Sequence, residues 1–188
     1  FINRAAKLKK LNNLKVITCD MNCFNVEMKF DRVVSVEMFE HMQNYELLME
    51  NISSWLKPNG KLFVHIFCHQ KFAYFFSTEG SDNWMGRYFF TGGLMPSEDL
   101  LLKFQKNLSL DKQWRWNGRH YKQTSNTWLK NMDKEKNNIL PILEQVYGRN
   151  ERNIWFQRWR IFFMACAELF GYNRGNQWLV AHYLFEKS

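Results

Sequence analysis

Apolar positions along this chain fall into short blocks whose spacing changes from one segment to the next. Val33 to Val36 is an unbroken apolar run apart from Ser35, which fits a buried strand spanning Phe30–Val36. The next block, Leu47, Leu48, Ile52, Trp55 and Leu56, recurs at helical spacing and predicts a helix over Tyr45–Leu56, stopped by the turn Lys57-Pro58-Asn59-Gly60. Lys61–Phe67 is again strand-like. Strand, helix and strand in that order, with nearly continuous apolar strands, predict an α/β fold with a parallel pair.

The same reading extends to both ends. It predicts a helix over residues 3–12 and a short strand over Lys15–Cys19, with Asp20 at its carboxyl end and a connecting loop over Asn22–Lys29. After Phe67, residues Phe72–Gly93 are crowded with aromatics and glycine. They read as a covering loop with one short helix, or as filling at the edge of the sheet. Pro96-Ser97-Glu98-Asp99 opens a helix continued by Leu101, Leu102, Phe104 and Leu108. A strand over Leu110–Trp116 and a helix over Arg119–Met132 follow, and then a helical stretch kinked or restarted by Pro141 and ended by Gly148. Asn150–Phe170 is the strongest helix, apolar on most faces and capped by Gly171, and Trp178–Phe185 is expected as a final antiparallel edge strand.

Composition narrows the class. With 188 residues, 46% hydrophobic and 17% aromatic, the chain has material for one ordinary core. No run is long enough to span a bilayer and no hydrophobic signal segment leads the chain, so a soluble, cytoplasmic protein is expected. The net charge of +8 is scattered, from Lys7, Lys9, Lys10 and Lys15 to Arg149, Arg152, Arg158 and Arg160. That pattern reads as a solvated basic surface, with weak contact to an acidic membrane surface or to RNA as the lesser alternative. Cys19, Cys23, Cys68 and Cys166 form no CxxC pair and are expected as free thiols. In His65-Ile66-Phe67-Cys68-His69 a strand would turn Cys68 away from the two histidines, so no metal site is expected.

Candidate chemistry sits where the first strong strand ends, at Glu37-Met38-Phe39-Glu40-His41. Ligands of open α/β sheets lie beyond the carboxyl ends of the strands. Two neighbouring carboxylates raise each other's proton affinity and His titrates near neutrality, so Glu37, Glu40 and His41 suit removal of a proton from an ammonium group. The bland alternative is a helix start, with both acids favoured by the macrodipole. Asp20 is likewise either a ligand-binding strand-end residue or a turn residue.

Several phrases resemble one family closely: Phe30-Asp31-Arg32, Ser35-Val36-Glu37-Met38-Phe39-Glu40-His41, Leu56-Lys57-Pro58-Asn59-Gly60, His65, Pro96-Ser97, and His120-Tyr121 with Thr124 and Trp128. Over nearly its whole length the chain resembles class I S-adenosylmethionine-dependent methyltransferases of the cyclopropane fatty acid synthase and coclaurine N-methyltransferase group. The resemblance implies the C-terminal part of a Rossmann-like sheet with helices on both faces. Residues 1–70 would form the sheet core with the catalytic motif, 71–172 a largely helical substrate-covering region and 173–188 the final edge strand. Lipid-modifying members usually carry Gly where Glu37 stands, whereas plant alkaloid N-methyltransferases read Glu-Met-Phe-Glu-His, as here. The latter also share Arg87-Tyr88-Phe89-Phe90-Thr91-Gly92-Gly93 and Ala167-Glu168-Leu169-Phe170-Gly171-Tyr172-Asn173.

By resemblance, Glu37, Glu40 and His41 hold and deprotonate an amine, while Asp20 and Met21 contact the adenine of S-adenosylmethionine. His65, Tyr121, Trp159, Phe162 and Phe163 are then substrate-binding. The sequence departs from the plant enzymes at Arg158, where they tend to carry Tyr, and lacks the family's glycine-rich cofactor loop, for which Gly92-Gly93 is no substitute. The chain is therefore expected to be the distal part of a longer protein. The expected partner is a small-molecule amine or, as the second reading, a lipid, with no nucleic acid and with a homodimer as a compatible assembly. A non-catalytic fragment associating through its aromatic helix is the third reading.

Overall fold

A computed structural model describes residues 1–187 of the chain. The elements in order are α1 (Ile2–Leu8), β1 (Phe30–Val36), α2 (Tyr45–Trp55), β2 (Leu56–His69), β3 (Tyr74–Phe75), α3 (Trp84–Tyr88), β4 (Leu94–Met95), β5 (Ser109–Trp116), α4 (Arg119–Lys134), α5 (Lys136–Tyr147), α6 (Arg152–Gly171) and β6 (Trp178–Glu186). The main sheet has the order β1-β2-β6-β5. β1 and β2 are parallel, as the strand-helix-strand pattern predicts, while β6 runs antiparallel to both β2 and β5.

Helices cover both faces, and strand alternation decides which residues meet which helix. Leu62, Val64, Ile66 and Cys68 of β2 join Leu179, Ala181, Tyr183 and Phe185 of β6 on the face packed by Leu48, Met49, Ile52 and Trp55 of α2. On the other face Phe67 and Val180 pack with Cys166 and Phe170 of α6. The intervening positions on that second face include His65 and His182, which are paired directly in register. α4 and α5 pack against α6, with Met132, Leu143 and Phe156 buried between the three helices.

Three expectations need correction. Residues 15–19 form no strand, and Ile17 is half exposed, because no described strand lies beside them to complete the hydrogen bonds. β6 is an inner strand rather than an edge: β5 pairs along its far side from Ser109↔Glu186 to Trp116↔Val180. The helix expected from Ser97 to Leu108 is only a 3₁₀ turn at Leu100–Lys103. There the Ser97 hydroxyl donates to Asp99 at 2.7 Å instead of capping, and the backbone is tied to β2 by His69 N–H to Pro96 and Glu98 N–H to His69. Pro141 lies inside α5, and Gly148, at φ 89°, ends that helix as expected.

The segment 72–93 carries the expected one short helix, α3, and β3 near its start pairs with β4 just beyond its end. Gly93 packs closely there: a Cβ on it would sit 3.0 Å from the Glu40 carbonyl oxygen. None of the helices described is long and apolar enough to cross a membrane. No group of three or more His, Cys, Asp or Glu among the described residues is placed to hold a metal.

Candidate active site

β1 hands the chain to the acidic motif through a single strained residue. The Glu37 N–H continues the parallel ladder by donating to the His65 carbonyl at 3.1 Å, but its φ is 53°. This left-handed conformation costs a non-glycine residue about 1–2 kcal/mol. It turns the chain sharply out of the sheet into the 3₁₀ turn Phe39–His41.

The two carboxylates end in opposite environments. Glu37 is about one-third exposed and accepts on both oxygens, from His65 Nε2 at 3.0 Å and from the Tyr121 hydroxyl at 3.4 Å. Glu40 is fully enclosed. Its Oε1 accepts from the Phe67 N–H at 2.9 Å, whereas Oε2 has no partner among the described residues. Burial, reinforced by the negative charge of Glu37 and only partly offset by backbone hydrogen bonds, pushes the Glu40 carboxyl up to about 8. The Tyr121 hydroxyl is raised by burial and by Glu37, and the same two causes push Cys166 up to about 12.

His65 connects Glu37 to residues that sequence reasoning missed. Its Nδ1 lies 2.8 Å from His182 Nε2, and His182 Nδ1 accepts from the Trp116 indole at 2.9 Å. Burial, and then the neighbouring His65, hold His182 below the usual imidazole range. The available signal was a lone histidine inside the apolar run Trp178-Leu179-Val180-Ala181-His182-Tyr183-Leu184-Phe185.

His41 stands apart from this cluster. Its ring is exposed and stacks on Phe90 with centroids 5.8 Å apart, and it makes no side-chain hydrogen bond to either carboxylate. Phe90 in turn meets Phe67 and Phe162 at 5.8 and 6.0 Å, so one aromatic ring touches His41, the residue that binds Glu40, and α6. Trp159, Phe162 and Phe163 line a groove of about 900 Å³ with Trp128, Met132 and Leu143. Phe89 stacks on Phe162 at 4.5 Å, joining the cover to that wall. Arg158 lies over Tyr88 at 4.1 Å and Trp155 at 4.7 Å, so its cation clips α3 to α6.

On the other side of His41 a cavity of about 420 Å³ is lined by Met21, Asn22, Gln43, Asn44, Leu48 and Gly92. Asp20 Oδ1 accepts from the Asn22 backbone and side chain at 2.8 and 2.9 Å, which leaves its second oxygen open. The cavity is thus lined by side-chain amides and the Met21 thioether, and Asp20 is not among its lining residues. The structure brings together Glu37, His65 and Tyr121, gathers Trp159, Phe162 and Phe163 in a second place, and sets Met21 and His41 around a third, whose lining does not include Asp20.

The family model described as mycolic acid cyclopropane synthetase matches residues 3–178. The chain belongs to that family. It is 39% identical over 190 residues to (S)-coclaurine N-methyltransferase of Papaver somniferum, covering 100% of this chain and 54% of the relative. Pavine N-methyltransferase of Thalictrum flavum subsp. glaucum is 34% identical over 190 residues, with 100% and 53% covered. A crystal structure of coclaurine N-methyltransferase bound to N-methylheliamine and SAH matches with a TM-score of 0.91 at 34% identity, over 99% of this chain and 56% of that one. The chain spans about half the length of the curated relatives it matches.

Proposed function

We propose that this chain carries the amine-binding and proton-accepting half of an S-adenosylmethionine-dependent N-methyltransferase acting on a small cyclic amine of the benzylisoquinoline type. The observation that carries the reading is the divided pair of carboxylates: Glu37 held by two donors, and Glu40 enclosed with one unpartnered oxygen and a raised proton affinity. Pairs of acids whose surroundings drive them apart mark acid and base assignments. The N-methyltransferase relatives support the choice of an amine.

S-adenosylmethionine, when bound, supplies the methyl group as an electrophile, and Asp20 and Met21 would hold its adenine beside the cavity that Met21 borders. An amine reacts only through a free lone pair, so its proton must leave first. Glu37, oriented by His65 and Tyr121, attracts the ammonium form and fixes its direction. Glu40 accepts the proton when it is in its ionised form, and a carboxylate whose proton affinity is raised to about 8 is far better matched to an ammonium than an ordinary one. Because Glu40 is enclosed, the amine reaches it when the cover 72–93 moves. Trp159, Phe162 and Phe163 supply ring faces that attract the cation and shed water. His41, stacked on Phe90 beside the purine-sized cavity, separates the two ligands and guides the amine toward the methyl donor.

The test is methyl transfer to coclaurine by a chimera in which this chain replaces the matching half of the Papaver relative. The expected result is N-methylated product, reduced about 100-fold or more by Glu40→Ala or His41→Ala. Wild-type turnover in both variants would overturn the assignment.

A further inference from the structure

We propose that Trp116 and His182 are positioning residues that set the direction of a hydrogen-bond chain ending on Glu37. The chain runs from Trp116 Nε1 to His182 Nδ1 at 2.9 Å, from His182 Nε2 to His65 Nδ1 at 2.8 Å, and from His65 Nε2 to Glu37 Oε1 at 3.0 Å. Histidine nitrogens can each donate or accept, so two adjacent imidazoles have no inherent direction. An indole N–H can only donate. It therefore requires a bare Nδ1 on His182, which puts that ring's proton on Nε2. His182 then donates to His65, whose Nδ1 must be bare in turn, and the His65 proton stands on Nε2 facing the carboxylate.

The sheet builds this order. His65 and His182 are cross-strand partners, Val36 pairs with His65 so that Glu37 follows one residue beyond, and Trp114 pairs with His182 so that Trp116 reaches it diagonally. The consequence reaches the carboxylate. With the opposite tautomer, a bare His65 Nε2 would face a carboxylate oxygen and the pair would repel. The indole thus keeps His65 Nε2 a donor and Glu37 its acceptor. The other titratable groups facing the chain are Tyr121 and His120 of α4, Cys166 of α6 and Glu40.

This inference rests on the reading of Glu37 as the amine-holding carboxylate, yet its test needs no substrate. Nitrogen-15 NMR of the uniformly labelled 188-residue chain reads each ring's tautomer directly. The expected result is pyrrole-type Nε2 and pyridine-type Nδ1 for both His65 and His182. In Trp116→Phe, His182 and, through it, His65 are expected to sample both tautomers. His182→Gln, whose amide can still donate to Nδ1, is expected to keep the Nε2–H form of His65, whereas His182→Phe is expected to release it. An Nδ1–H form of either ring in the unmodified chain, or an unchanged His65 in Trp116→Phe, would overturn the proposal. Absence of methyl transfer with these tautomers in place would count against the proposed function alone.

Discussion

Replacing Glu40 by glutamine should shift stability steadily in favour of the variant as the pH rises, with a net gain by about pH 7–8. The carboxyl goes from an ordinary 4.5 to about 8 on folding, chiefly through burial. Below the lower value both the folded and unfolded chains carry the proton, so the group is neutral to stability. Between the two the unfolded chain ionises and the folded one does not, which disfavours folding by about 1.4 kcal/mol per pH unit. The loss is complete above pH 8, where it reaches about 5 kcal/mol. Glutamine keeps the acceptor for the Phe67 N–H and cannot ionise. Its extra buried N–H groups cost about 1–3 kcal/mol, but that cost does not vary with pH. Urea unfolding of the wild type and Glu40→Gln at pH 5, 6, 7, 8 and 9 isolates the effect, since every other group cancels in the difference. The difference should grow steadily from pH 5 to 8 and then level. A difference constant over the whole range would refute the raised Glu40 carboxyl, and with it the division of roles between the two acids.

Other consequences are as direct. Glu37→Gly and Glu37→Ala both remove the carboxylate, so their difference reports the backbone at φ 53°; glycine should be more stable by about 1 kcal/mol in thermal or urea unfolding. Gly118→Ala should destabilise by about 2–3 kcal/mol or more, because the added carbon would sit 2.1 Å from the Trp178 carbonyl oxygen and 2.4 Å from that of Phe170; an unchanged urea midpoint would contradict the packing. Arg158→Ala should remove about 1 kcal/mol of attraction to Tyr88 and Trp155 and speed proteolysis within 72–93 while leaving the sheet intact. Equal cleavage rates would show that Arg158 does not hold the cover.

How much of this could be read from the sequence depended on whether the deciding contact was local. The strand Phe30–Val36 and the helix Tyr45–Trp55 are legible because apolar period acts within a few positions, although the turn expected at Lys57–Gly60 is instead the start of β2, and the strand end locates Glu37 and Glu40 beyond it. The strand expected at 15–19 failed because a strand is completed by a neighbour, which periodicity does not supply. β6 was taken for an edge because it closes the chain; its inner place comes from β5, which precedes it in sequence but lies on its far side. Ser97 looked like a helix cap, but the nearest acceptor for its hydroxyl is the carboxylate two residues on. His182 escaped notice because its role arises only when register sets it against His65. The separation of His41 from the carboxylates likewise depends on the 3₁₀ turn and on Phe90, which is 49 residues away along the chain.

The central claim is that Glu37 and Glu40 together prepare an amine for methylation, and it is tested most directly by following N-methylation of coclaurine in the chimera with each carboxylate removed singly. Glu37→Ala and Glu40→Ala should each lower kcat/KM about 100-fold or more, with Glu40→Gln folded, more stable and equally inactive. Turnover by Glu40→Gln at the wild-type rate would contradict the account.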